Sequence, residues 1–270
     1  MQFIKLKYHI IAAALILILI VNAACQKVIN IKVDNAATQL VIEGNVTNQL
    51  EQQSVKISQS VPFTNTNTFP AVSGAVVTIS DNKGNNYKLT EGTTAGTYLS
   101  NRFTGRTGNI YTLTVQTNGK TYTGSSTMPA LVNFDQVTYR DDVFNGKNNK
   151  LMTVYFHDPT SVVNQYLFVM YVNNILIKTI FTSDDSFTNG GNVNLDLYQN
   201  DINILTGDTV IVEMQSIDRG IFTYWYSLSQ QQNNAAGGGT APSNPPSNLN
   251  NNALGYFSAH TVQKHTVIIN

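Results

Sequence analysis

The stretch Gly108–Pro129, "GNIYTLTVQTNGKTYTGSSTMP", decides the fold. It holds two β-type runs on either side of Asn118-Gly119, the dipeptide that most readily takes positive φ and closes a two-residue hairpin. Working outward, the same pattern recurs. "VINIKVD", "QLVIEGNVT" and "SVKIS" carry apolar residues, rich in Val and Ile, at every second position, which turns one face of a strand inward and the other outward. "VSGAVVTISDNKGNNYKLTE" contains two alternating runs around Asp81-Asn82-Lys83-Gly84, a turn cluster, and so predicts a second hairpin. Strands and turns at about ten-residue spacing indicate an antiparallel sandwich of immunoglobulin-like size over residues 25–130. Pro129 ends this series and "ALVNFDQV" opens another, which places a domain boundary near residue 130.

Residues 131–270 read as a second β domain. Its runs "KLMTVYFHD", "NQYLFVMYVNN", "ILIKTIFT" and "GDTVIVEMQSID" are longer and more aromatic. Between 218 and 236 the period changes: Ile221, Phe222, Tyr224, Trp225 and Leu228 share one broad face at helical spacing. Asp218 is placed to cap this helix and Gly237 to end it. The Gly/Pro/Asn stretch 237–252 is expected as a surface excursion, and "ALGYFSAHTVQKHTVIIN" as the closing strands. The fold class is therefore all-β: an immunoglobulin-like sandwich followed by a second sandwich-type domain with one packed helix.

The N-terminus carries a different message. Lys5 and Lys7 precede twelve apolar residues, Ile10–Val21, then Ala23-Ala24 and Cys25, the chain's single cysteine. The run is too short for the roughly 20 residues of a membrane-spanning helix and reads as a signal peptide over residues 1–24. A lone thiol immediately after small residues is what a lipid transferase would alkylate. The segment Asn22-Ala23-Ala24-Cys25 resembles a bacterial lipobox, with Asn22 where Leu is commonest. That resemblance implies Cys25 as the lipid attachment site, with acyl chains such as palmitate anchoring the chain to a membrane. Each buried methylene contributes about 0.8 kcal/mol, so two or three chains hold firmly where one holds marginally.

Once the two signal-peptide lysines are set aside, 14 basic and 16 acidic residues remain. Only 12% of the chain is charged, against roughly 25% in an average protein. No basic cluster exists to neutralise phosphates, which excludes a nucleic-acid partner.

Candidate chemistry is sparse. The sequence has no G-x-S-x-G elbow, no H-E-x-x-H and no Cys-x-x-Cys. His157 stands beside Asp158 at a strand end, and His260 and His265 flank the last strand, where five-residue spacing sends them to opposite faces; all three are expected on the surface. Asp141-Asp142 and Asp184-Asp185 are adjacent pairs, and neighbours in a strand also point apart. The reading is non-catalytic, with no cofactor and no metal. The candidate binding residues are Tyr224, Trp225 and Tyr226, whose faces suit sugar rings or a partner's side chains; the alternative is that Phe222 and Trp225 simply bury against the sheet.

"CQKVINIKVDNAATQLVIEGNVTN", "FPAVSGAVVTISDNKGNNYKL", "GDTVIVEMQSIDRGIFTYWYSL" and "NPPSNLNNNALGYFSAHTV" together resemble a family of Bacteroidetes lipoproteins carrying a domain of unknown function. The resemblance spans nearly the whole chain after Cys25. It implies an accessory role beside a TonB-dependent outer-membrane receptor, by substrate binding or receptor docking, and carries no catalytic residues across. The first half also resembles the carboxypeptidase-regulatory type of immunoglobulin-like module, through "VSGAVVTI", "GTYLS" and "GNIYTLTV". Gln26-Lys27 replaces the acidic residues common after the cysteine of surface-exposed lipoproteins, so surface-facing and periplasm-facing orientations both stay open. A structural adhesin and a hydrolase built on carboxylates are the other function classes.

Overall fold

The structure, a computed structural model, describes residues 37–62, 68–143, 148–160, 162–233 and 243–270. The signal peptide, Cys25, the run "VINIKVD" and the expected helix stop at Gly237 lie outside the described residues. Seven strands make up the first half: β1 (Leu40–Thr47), β2 (Glu51–Gln59), β3 (Val76–Asp81), β4 (Asn86–Glu91), β5 (Thr97–Phe103), β6 (Ile110–Thr117) and β7 (Lys120–Thr127). The next seven are β8 (Phe134–Asp141), β9 (Lys150–His157), β10 (Gln165–Val172), β11 (Ile175–Leu176), β12 (Phe181–Asp184), β13 (Asn192–Leu197) and β14 (Thr209–Ile217). Helix α1 (Arg219–Asn233) and β15 (Leu254–Ile268) complete the order.

Both sequence-read hairpins form. Asn118 and Gly119 take φ of 51° and 70° and join β6 to β7 with Thr117 opposite Lys120. Asp81 closes the β3–β4 turn by accepting hydrogen bonds from the backbone N–H of Lys83 and Asn85, each 3.0 Å long. These bonds favour the ionised carboxylate and outweigh a partial desolvation cost, so Asp81 titrates below the ordinary range. The cluster is thus a turn, as its sequence suggests.

The strands run in the order β11-β10-β14-β15-β1-β2-β5-β4-β3-β6-β7, with β12 paired to β10, and β13-β9-β8 forms a separate three-stranded sheet. One core, including Ile42, Val55, Ile79, Leu113 and Phe257, is enclosed by the first seven strands and the start of β15. A second, including Val154, Phe168, Val212 and Ile269, lies between β10-β14-β15 and the three-stranded sheet. The architecture is all-β, two sandwiched cores with one helix among the described residues.

Two expectations change here. The last segment is one strand of 15 residues rather than several closing strands. The arrangement is also not wholly antiparallel, because β15 pairs in parallel with β1 from Val41↔Leu254 to Thr47↔His260, then antiparallel with β14. Gly255 permits the parallel approach: its φ is 91°, and a Cβ there would lie 2.0 Å from the Ile42 carbonyl oxygen. One strand thus contributes to both cores.

Asp218 caps α1 as its sequence position suggests, accepting the Ile221 N–H at 3.0 Å. The described part of the helix is Arg219–Asn233, and the expected end at 236 lies outside the described residues. The run "ILIKTIFT" is likewise not one strand but β11 and β12, with Ile177–Ile180 between them. The described end of the Gly/Pro/Asn stretch, 243–252, is not simply a surface excursion. Asn250 donates its N–H to the Thr123 carbonyl and accepts the Thr123 N–H, covering the β7 edge. Leu249 is buried, and Gly124 makes room for it, since a Cβ there would sit 2.7 Å from Leu249 Cδ2.

Candidate functional site

Residues alternate along β15, and the odd positions face the cores. The even positions Tyr256, Ser258 and His260 face the other way, beside Asn45 and Thr47 of β1 and Glu213 and Gln215 of β14. This is the outer face of the long sheet. Helix α1 packs across it onto β10, β12 and β15. Ile221 anchors the helix against Leu167 and Ile217, with Phe222 and Trp225 packed beside them.

Between helix and sheet lies a cavity of about 360 Å³, at the lower end of the ~300–1,000 Å³ usual for small-molecule sites. Its floor combines the polar Asn45, Thr47, Glu213, Gln215, Ser258 and His260 with the apolar Leu167 and Val169 of β10. Its walls are Trp225 and Tyr256, with Leu176, Ile177 and Ile180 from the β11–β12 segment.

The floor's electrostatics follow from burial. His260 is 3% exposed, and desolvation pushes its imidazole down to about 4 although Glu213 pulls the other way, so the ring is neutral at pH 7. Its Nδ1 lies 2.9 Å from Ser258 Oγ. Glu213 meets Lys264 Nζ at 2.9 Å and accepts from Gln215 Nε2, so its charge is balanced. The Glu213 contact in turn raises the Lys264 ammonium above its ordinary value. Burial pushes Tyr256 up to about 12, offset in part by its hydrogen bond to Asn45.

Ser258 and His260 have the atom types of a nucleophile and its base. A hydrolytic triad needs a third group on the far nitrogen of the imidazole. Glu213, the carboxylate that lines the same cavity, is committed to Lys264 and Gln215 instead. Burial also holds the imidazole too weakly basic to accept a serine proton near neutrality. The pair is a buried hydrogen-bonding unit.

The sequence-read candidates separate here. Trp225 lines the cavity, its ring centroid 5.1 Å from that of Tyr256 at 60°. Tyr224 packs behind it, 5.3 Å from Trp225 and 5.2 Å from Tyr256, and burial raises its hydroxyl. Tyr226 lies apart, stacked on Phe222 at 5.6 Å and 48% exposed.

The histidines correct the surface expectation. His260 is buried within β15, because α1 and the β11–β12 segment cover a face that alternation alone leaves to solvent. His265 also lies within β15, half-buried, with Nε2 2.7 Å from the Phe134 carbonyl oxygen and its ring edge-on to Phe134. His157 is exposed and meets Asn192 Oδ1 at 2.9 Å.

The aspartates act as staples. Asp185 is buried and accepts the Asn164 N–H at 2.8 Å, Asp141 pairs with Lys150, and Asp142 meets Asn149. Asp158 is fully buried and accepts the Tyr166 hydroxyl, which raises the Tyr166 pKa further after burial. No group of three His, Cys, Asp or Glu able to hold a metal occurs among the described residues.

Sequence reasoning missed the cavity floor. Its signal was present in "EMQ" and "YFSAH", where polar side chains sit at i, i+2 on one face of strands whose other face is apolar.

The fold and site define an all-β sandwich protein with a helix-covered cavity on the outer face of its long sheet. The chain belongs to the family DUF4249, a domain of unknown function, matched over residues 26–266. No curated protein matches it. Among solved structures it is similar to a two-domain fibronectin type-III segment from chicken tenascin, at 14% identity and a TM-score of 0.22, over 66% of this chain and 90% of that one. No described helix is long and apolar enough to cross a membrane.

Proposed function

We propose that this chain is a non-catalytic lipoprotein of the outer membrane, anchored through acylated Cys25, that assists a TonB-dependent receptor by holding a small ligand in the cavity beneath α1. The observation that carries the binding half is that cavity, walled by Trp225 and floored in part by the buried polar Glu213, Ser258 and His260. The anchorage half is supported by the lone cysteine at the end of the apolar run. Fourteen residues separate Cys25 from Leu40, where β1 begins. At ~3.3 Å each they span at most about 45 Å, the upper limit on the separation of lipid and β1; were Val28–Val33 a strand, only Gln26 and Lys27 would separate lipid from fold.

The test is affinity capture from gently extracted outer membrane, with mass spectrometry of the N-terminus. The expected result is a chain starting at Cys25 with a diacylglyceryl thioether, accompanied by a TonB-dependent receptor. A chain starting elsewhere, or an unmodified sulfur, overturns the anchorage, and recovery without any receptor overturns the accessory role.

A further inference from the structure

The binding half of the proposed function leaves the ligand's chemistry open, and the cavity restricts it. We propose that it takes a small, uncharged, hydroxyl-rich molecule of mono- or disaccharide size, stacked on Trp225 and Tyr256 and hydrogen-bonded by the floor of β1, β14 and β15.

Charge is the first restriction. Glu213 is already matched by Lys264 at 2.9 Å, and His260 is held neutral. An anion or a cation entering the cavity loses its hydration and gains no unmatched countercharge on the floor. Lys178 stands exposed at the rim, where water screens it.

Polarity is the second. A wholly apolar ligand would take the half-buried Asn45 and Gln215 of the lining away from water without giving them new partners, which disfavours it. The floor instead offers amide, hydroxyl, carboxylate and imidazole groups from three neighbouring strands, on a grid of about 4.8 Å. Such a grid of mixed donors and acceptors suits a ligand that can both donate and accept at several points. Hydroxyl groups do both.

Shape is the third. The Trp225 and Tyr256 rings meet at 60° and form an apolar corner above this grid. A pyranose ring has a C–H face for such a corner and a hydroxyl edge for the floor.

Trp225 is the chain's single tryptophan, so its fluorescence reports directly on this cavity. The purified chain is titrated with D-glucose, maltose and N-acetylglucosamine, and in parallel with inorganic phosphate and L-glutamate. The expected result is a saturable change in Trp225 emission with at least one neutral sugar and none with the anions. Gln215→Ala weakens that binding at least tenfold while the circular dichroism stays unchanged, and His260→Ala serves as a second variant if it folds. No saturable response to any of the three sugars overturns the proposal, as does saturation by phosphate or glutamate, or a sugar response that Gln215→Ala leaves intact. None of these outcomes alters the N-terminal mass or the receptor capture, so the ligand class and the anchorage fail separately.

Discussion

Along β15, residues facing the two cores and residues facing α1 are interleaved one by one. Phe257 and Ala259 are fully buried among aliphatic side chains, while Ser258 and His260 are almost as buried against polar neighbours. Burial is nearly equal, yet its energetic meaning is opposite. Apolar burial stabilises by about 25 cal/mol per Å², whereas a buried polar group breaks even only when hydrogen-bonded. The inner face of the strand therefore holds the fold together, and the outer face keeps polar groups dry at some cost. A cost of that kind is expected where a protein needs such groups for binding.

Substitutions that separate the two faces break or sharpen this contrast. The largest loss is expected on the inner face. Phe257→Ala leaves a void beside Gly44, where Phe257 Cδ2 now packs closely, and should destabilise by about 3–5 kcal/mol in chemical denaturation. The outer face responds to pH instead. His260 titrates near 4 when folded and near 6.5 when unfolded, so the unfolded chain takes up the proton first. Its contribution is complete above pH 6.5 and is lost as pH falls toward 4, up to about 3 kcal/mol. Denaturation of the chain and of His260→Gln across that range should show a clearly steeper fall of stability in the first than in the second.

A smaller effect is expected where helix and first sandwich meet. Asp218 accepts from Ile221 N, from Thr127 N at 3.1 Å and from the Ser126 hydroxyl. Ser126 Oγ in turn accepts the Ala259 N–H at 2.8 Å. Asp218→Ala should cost about 1–2 kcal/mol and expose Trp225 to acrylamide quenching as α1 loosens. The smallest belongs to Lys56 and Glu43, 3.8 Å apart and largely exposed beyond the cavity. Lys56→Ala should change stability by less than about 1 kcal/mol and leave the Trp225 spectrum unchanged.

Local chemistry made part of this legible in sequence. Asn118-Gly119, the Asp81 turn and the Asp218 cap each depend on residues within a few positions of one another. The β1–β15 pair does not: its partners are more than two hundred residues apart, and only the +91° φ of Gly255 accommodates the approach. His260 reads as a surface residue because strand alternation names its face but not what covers that face. Trp225 stands out in the sequence within the aromatic cluster Tyr224–Tyr226, whereas Glu213, Gln215 and Ser258 carry no local mark, because what makes them cavity lining is the helix that covers their face. Leu249 was obscured for a related reason, sitting in a loop-like composition yet docking over Gly124.

The outer-face cavity is tested most directly by NMR titration of the His260 imidazole in the folded chain, with the side-chain nitrogens labelled. A ring that is neutral at pH 7, titrates near 4 and shifts when a neutral sugar saturates Trp225 is the predicted result. A midpoint near 6.5 in the folded protein would contradict it, since the imidazole would then be in water and no dry polar floor would exist beneath the helix.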